Sequence, residues 1–205
     1  MPEIYSPSSE HEVADFIKDC NSQEIPIEII GHNTKSIGRL IQCSKSLHLK
    51  NLSGIIEYFP EELYIKVKAG TSLTLIEAEL DKKNQELSFE PSDMGFLYNG
   101  RSNKGSVGGA VACNLSGSRR FRAGALRDHI LGFRGVNGKG EIVKSGGTVV
   151  KNVTGYDVSK LITGSYGTLV ALTEIVLKVQ PKNEETQTLI AVSYTHLTLP
   201  TKRIV

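Results

Sequence analysis

The sequence predicts an α+β protein made of two packed α/β subdomains with glycine loops at their seam. Three observations predict it. In the first third, short β-branched runs alternate with stretches of helical spacing. The middle is rich in hairpin signals. The 20 glycines cluster in the central loops instead of spreading as low complexity, which favours tight turns around a ligand over a flexible linker.

The elements follow in order. Residues 8–20 read as a helix capped by Ser8 or Ser9, with Val13, Phe16, Ile17 and Cys20 on one face. IPIEII, residues 25–30, reads as a strand running directly into the glycine loop 31–38. Short strands are expected at 47–49, 55–58 and 64–69, the last alternating apolar and charged residues. A helix is expected from Gly70, Thr71 or Ser72 through Lys82, with Leu75, Ala78 and Glu79 marking its spacing. Residues 90–105 read as a loop. NKGSVGGAVACNLSG, residues 103–117, reads as a glycine loop opening into a short helix. A hairpin is expected from 129–136 and 141–144 around Asn137-Gly138-Lys139-Gly140. A strand is expected at 149–153, then a short helix at 157–163 capped by Asp157, and a glycine turn at 164–168. The strand 169–179 is expected to end at Pro181.

Bulk properties narrow the function. The chain has 205 residues, 39% hydrophobic and 22% charged, as in a soluble globular protein. A net charge of +2 implies no strong nucleic-acid or membrane field. Cys20, Cys43 and Cys113 are isolated, which gives no zinc site and no disulfide framework and points to a reducing, cytoplasmic compartment. The first residues do not read as a signal peptide, and no apolar run is long enough to span a bilayer.

The familiar phosphate motifs fail. GxGxxG is absent, and GRSNKGS lacks the lysine of a P-loop. HExxH and GxSxG are absent as well. Three glycine loops with polar flanks remain, and together they point to a phosphate-bearing ligand.

Four blocks carry a family resemblance: IIGHNTKSIG, GSVGGAVACNLSGSRRFRAGALRDHILG, VVKNVTGYDVSKLITGSYGTL and ALTEIVLKVQP. In this order they resemble the PCMH-type, or vanillyl-alcohol-oxidase-type, FAD-binding domain, and within it the FAD-binding subunits of glycolate oxidase, the GlcE type. The resemblance implies FAD lying between two α/β subdomains. It implies a domain over residues 1–183, with subdomains of about 1–60 and 61–183. Residues 184–205 would be the start of a next segment and a non-native tail, because VSYTHLTLPTKRIV resembles a translated sequencing adapter. A second domain on the substrate side is expected in full subunits of this type, so this chain alone is not expected to turn over substrate.

The resemblance also implies the site. Gly31, His32, Asn33 and Thr34, with Lys35 beside them, match the first pyrophosphate loop. Ser106, Val107, Gly108 and Gly109 match the second, and Asn114, Ser116 and Gly117 match its polar end. Arg127 and Asp128 match an RD motif. Gly164, Ser165, Gly167 and Thr168 match a turn near the adenine side and the pyrophosphate, and Ile175 would offer backbone contacts near the ring system. Relatives that attach FAD through histidine carry it where Thr34 stands here, so the FAD is expected to be non-covalent. No metal is expected, and no catalytic residue is assigned.

The implied reaction is oxidation of a small α-hydroxy acid to its 2-oxo acid. The implied partners are a second flavoprotein subunit and an iron–sulfur subunit, which could hold the chain at the inner membrane. Two alternatives stay open: another oxidoreductase of the same fold, of lactate dehydrogenase or muramate-forming type, and a non-catalytic FAD-binding scaffold. Cys113 reads as a buried, inert thiol. The cluster Arg119, Arg120, Arg122 and Arg127 is open between pyrophosphate neutralisation, substrate steering, partner docking and a solvated loop. Lys151, Asn152, Tyr156 and Asp157 are open between flavin contact and structural support.

Overall fold

The computed structural model describes residues 2–35, 41–147, 156–185 and 187. The expected strand 149–153, Lys151, Asn152, the end of the 31–38 loop and the segment 192–205 lie outside the described residues.

Two sheets organise the chain. The first is parallel, in the order β1 (Glu3–Tyr5), β3 (Lys45–His48), β2 (Ile27–Ile30). The second is antiparallel, in the order β4 (Ile55–Phe59), β5 (Tyr64–Lys68), β9 (Val170–Lys178), β7 (Ile130–Asn137), β8 (Ile142–Gly146). The chain passes from one sheet to the other between His48 and Ile55. A small ribbon pairs β6 (Gln85–Glu86) with β10 (Gln180–Pro181).

Helix α1 (Glu10–Ser22) starts where Ser9 Oγ accepts the Glu12 N–H, and it buries Val13, Ala14, Ile17 and Cys20. Phe16, on the same expected face, is only half-buried and stacks on Tyr5 with ring centroids 4.5 Å apart. Helix α2 (Leu73–Asp81) buries Leu73, Ile76 and Leu80. Leu75 and Ala78, which marked the expected spacing, are exposed. The apolar spacing i, i+3, i+7 from Leu73 outranks the one from Leu75 because Leu73 alone enters the core at the first turn. Residues 90–105 are not all loop: Asp93 caps a short helix, α3 (Met94–Asn99), by accepting the Phe96 N–H. The long strand β9 stops at Lys178, before Pro181, and Pro181 closes the short edge strand β10, a position where its missing N–H is tolerated.

The hairpin forms as expected, and Gly140, at φ +78°, takes the left-handed turn position. Asn137 Oδ1 accepts the N–H groups of Lys139 and Glu141, which closes the turn. Asp157 caps α6 (Val158–Ile162) through the Lys160 N–H.

Two cores result. Cross-strand rows Ile65–Leu177–Ile130 and Val67–Ile175–Phe133 line one face of the large sheet. They pack with α2, with Phe89 and with Val107, Ala110 and Val111. At the other end of β7 and β9, the pair Val136–Ala171 joins a smaller core with Val13, Ala14, Ile17 and Leu47. The large sheet therefore contributes to both cores.

A polar link ties α1 to the large sheet. Glu10 on α1 accepts from Arg134 Nη2 at 2.5 Å and from Thr173 Oγ1 at 2.6 Å. Burial alone would raise the Glu10 carboxyl, but the bonds from Arg134 and Thr173 and the guanidinium charge together hold it below its ordinary value. Because its folded-state pKa is depressed, its contribution is complete above the ordinary carboxylate range and lost as pH falls through the folded value. We predict that Glu10→Gln lowers unfolding free energy by about 1–2 kcal/mol at neutral pH. In urea titrations the deficit should shrink on acidification, since both chains then carry a neutral group at this position.

Candidate functional site

The site is built where two glycine loops press together. A Cβ on Gly31 would lie 2.4 Å from Ser106 Oγ. A Cβ on Gly105, at φ +77°, would lie 2.3 Å from Thr34 Oγ1 and 2.8 Å from Lys35 Nζ. Only glycine permits that approach.

The second loop is fixed to the chain between β5 and α2. Leu73 N–H donates to Gly105 O at 3.0 Å, Val107 N–H to Thr71 O at 2.9 Å and Gly108 N–H to Ala69 O at 2.8 Å. Ser106 caps α4 (Val107–Cys113) by accepting the Gly109 N–H. The first loop is fixed to the same junction by His32, whose Nε2 lies 2.9 Å from Gly70 O. The carbonyl can only accept, so His32 Nε2 is the donor of this bond.

Between the loops lies a cavity of about 380 Å³. It is lined by Gly31, His32, Asn33, Thr34 and Lys35, by Ser106 and Gly109, and by Gly167 and Thr168. These nine expected site residues, from three separate loops, meet in one place. Ile29, Ala112, Cys113, Asn137, Tyr166 and Leu169 complete much of the wall.

Lys35 is the cation of this cavity. Its Nζ donates to Thr34 Oγ1 at 3.3 Å and to Lys104 O at 3.4 Å, and it has no carboxylate partner among the described residues. Burial pushes its pKa down, while Cys113 and Asp93 pull it up. A partly desolvated ammonium with only neutral acceptors gains from an anion placed beside it.

The other expected residues lie outside the cavity lining and bind the protein to itself. Val107 is wholly buried in the main core. Gly108 abuts β5's end, where a Cβ would meet Ala69 O at 2.8 Å, so its smallness serves packing. Asn114 ends α4 in the left-handed conformation, and its Oδ1 accepts the Arg127 N–H at 3.1 Å. Ser116 Oγ accepts the Leu126 N–H at 2.9 Å. Gly117 leaves room for Glu90, whose carbonyl would sit 2.6 Å from a Cβ there. Asp128 Oδ2 accepts the Ala125 N–H at 2.9 Å, and the Arg127 side chain is exposed. Gly164 donates to Val111 O at 3.0 Å, and Ser165 O accepts the Thr168 N–H at 3.0 Å, which shapes the turn that carries Gly167 and Thr168. Ile175 is at the centre of the main core. Of the residues left open, Tyr156 is almost fully exposed and Asp157 caps α6.

Cys113 differs from its expectation. It is only half-buried and lines the cavity, because Gly109, Ala112 and Cys113 fall at i, i+3, i+4 on one face of α4. That spacing was readable in the sequence. Burial pushes its thiol up against the opposing pull of Lys35, so the thiol stays protonated and poorly nucleophilic. Tyr166 could not be read in advance: its N–H bonds to Ala112 O at 2.9 Å, which brings a turn distant in sequence onto α4.

A cation without a carboxylate ion pair among the described residues, glycines whose Cβ would fill the cradle, and apolar walls fit a phosphate-bearing cofactor with an aromatic portion. Among the described residues there is no group of His, Cys, Asp and Glu side chains arranged for a metal.

Comparison with known proteins agrees with this chemistry. The model of the FAD binding domain family matches residues 2–146. Glycolate oxidase subunit GlcE of Escherichia coli (strain K12) is 42% identical over 162 residues, 78% of this chain and 44% of that protein. Glycolate oxidase subunit GlcD of Bacillus subtilis (strain 168) is 31% identical over 93% of this chain and 40% of its own length. A D-lactate dehydrogenase of Anaerostipes hadrus is 34% identical over 88% and 37%. Among solved structures, an alkyldihydroxyacetonephosphate synthase superposes on 87% of this chain and 31% of its own, with a TM-score of 0.70 at 22% identity, a likeness of fold. The chain spans about two fifths of the length of these curated relatives.

The two adjacent glycines separate packing from binding. Gly108→Val should lower the melting temperature of the cofactor-free protein by several degrees, through its clash with Ala69. Gly109→Val should leave that temperature within about two degrees and weaken FAD binding by tenfold or more, read by thermal scans and fluorescence titration.

Proposed function

This chain belongs to the FAD-binding domain family of PCMH type, and from that premise we propose that it is the cofactor-holding part of a flavoprotein oxidoreductase acting on a small α-hydroxy acid. FAD is the cofactor. The observation that carries the site assignment is Lys35, a half-buried cation lacking a carboxylate partner among the described residues, held where the two glycine loops meet.

In this reading the pyrophosphate lies between residues 31–35 and 105–109. Lys35 offsets its charge, and Gly31, Gly105 and Gly109 let the backbone come close. Ile29, Tyr166 and Leu169 supply apolar wall that excludes water from part of the cofactor. The cofactor is held without a covalent bond: Thr34 offers a buried hydroxyl already bonded to Lys35, His32 is tied to Gly70, and the Cys113 thiol is kept protonated. Bound FAD would supply the redox chemistry, accepting two electrons as the hydroxy acid becomes a 2-oxo acid.

The names of the GlcE and GlcD relatives describe subunits. We extend this to a complex with a second flavoprotein subunit and an iron–sulfur subunit that carries electrons onward. Among the described residues no helix is long and apolar enough to cross a membrane. A second reading, an FAD-binding scaffold whose partner does the chemistry, is favoured by one feature. Among the described residues, besides Lys35, Cys113 and Tyr166, the ionisable side chains lining the cavity are Glu28 and His32, and His32 is engaged with Gly70. Flavin bleaching by the hydroxy acid without partner subunits would exclude the scaffold.

Purified protein should be yellow and release its FAD on acid precipitation; a colourless protein that gains no flavin when incubated with FAD contradicts the reading. Lys35→Met should weaken FAD binding about tenfold or more, the scale of one charge-assisted contact. A bound anion favours the charged lysine, so wild-type affinity should fall as pH rises into the alkaline range, and Lys35→Met should lack this fall. Identical pH profiles for the two proteins would remove Lys35 from the phosphate site.

A further inference from the structure

Among the described residues the most exposed large apolar side chain lies away from the cofactor cavity. Phe121, on the short helix α5 (Arg120–Ala123), is 104% exposed. Arg120 and Arg122 flank it, and Arg127 follows in the 3₁₀ turn Leu126–Asp128; all three are exposed and none pairs with a carboxylate among the described residues. Their neighbour Arg119 is already committed, 3.0 Å from Glu86 and 3.7 Å from Glu90.

The segment beneath this tip is fastened at five points. Gly117 N–H donates to Phe89 O at 2.8 Å, and Arg119 N–H to Glu90 Oε2 at 3.1 Å. His129 Nε2 donates to Ala123 O at 2.8 Å, with the ring buried against Phe89. Ala125 N–H donates to Asp128 Oδ2, and Leu126 N–H to Ser116 Oγ, each at 2.9 Å. A loose loop could fold its phenyl ring back onto the protein; this base holds the ring outward in water. The composition, one aromatic ring among uncompensated guanidinium groups, is that of the energetic centre of protein interfaces. Planar guanidinium forks pair best with carboxylates. Membrane-lying helices carry a continuous apolar face, and four residues with one aromatic do not provide one.

We propose that Arg120, Phe121, Arg122 and Arg127 form a docking surface for a protein subunit that presents carboxylates around an apolar pocket. The proposal rests on the multi-subunit reading above, and the partner it selects is the second flavoprotein subunit. Phe121 fills the pocket and the arginines set the approach and the register.

The test uses the full chain and the second flavoprotein subunit from the same source, co-expressed and then titrated at low and high salt. Wild type should bind, more weakly at high salt. Phe121→Ser should bind at least tenfold more weakly, and the double variant Arg120→Glu, Arg122→Glu should not bind. Melting temperature and FAD content of the variants should stay at wild-type levels, since these side chains are exposed and make no ion pair among the described residues. Wild-type affinity in both variants overturns the proposal, as does a wild-type chain that forms no complex. Loss in the variants of self-association, or of binding to phosphatidylserine vesicles, with subunit binding intact, also overturns it by assigning the surface to another occupant. A wild-type chain that assembles but holds no FAD supports the surface and fails the cofactor reading instead.

Discussion

The site depends on a close backbone approach at Gly70. A Cβ there would lie 2.3 Å from Leu49 O and 2.7 Å from Leu52 O, far inside any van der Waals contact. With glycine in place, Gly70 N–H donates to Leu52 O at 2.7 Å and Gly70 O accepts from His32. Residues 69–73 then receive the whole 105–108 segment through three backbone bonds. Each bond contributes only about 1 kcal/mol net, so the steric condition decides: without glycine the segments cannot converge at all. Once they converge, the 31–35 and 105–109 loops are fixed relative to each other, and the cavity between them is a consequence.

The two cores hold this junction at a set distance from the sheets. The large sheet gives Val136 and Ala171 to the core under α1 and Ile175 and Phe133 to the core under α2 and α4. The same two strands thus anchor both lobes. Glu10 adds a directional link, because its two oxygens reach Arg134 on β7 and Thr173 on β9 from α1. The first loop follows β2 in the small sheet and the second starts α4 over the large one. Their relative position therefore inherits the stiffness of this packing.

Much of this was legible. Runs of glycine with small and polar neighbours announced the loops at 31–35, 105–109 and 164–168, and the hairpin around Asn137 was plain. The less legible part concerns direction. Gly108 and Gly109 look alike in sequence, yet one meets Ala69 and the other Ser106 and Lys35, because successive residues of a helix face about 100° apart. Asn114, Ser116 and Asp128 carry the polar groups of a binding site but spend them on the backbone N–H groups of residues 125–127. Strand β1 and the β6–β10 ribbon are too short to leave a period, and they exist through partners distant in sequence. Among its described side chains helix α3 buries no large one, so no apolar stripe announced it.

The central claim is that the cofactor's pyrophosphate sits between the two glycine loops. A crystal structure of the chain with FAD tests it most directly. The account predicts phosphate oxygens within hydrogen-bonding distance of Lys35 Nζ, between residues 31–35 and 105–109, with the His32–Gly70 bond intact. A pyrophosphate bound elsewhere, with Lys35 still turned to Thr34 and Lys104, would contradict it.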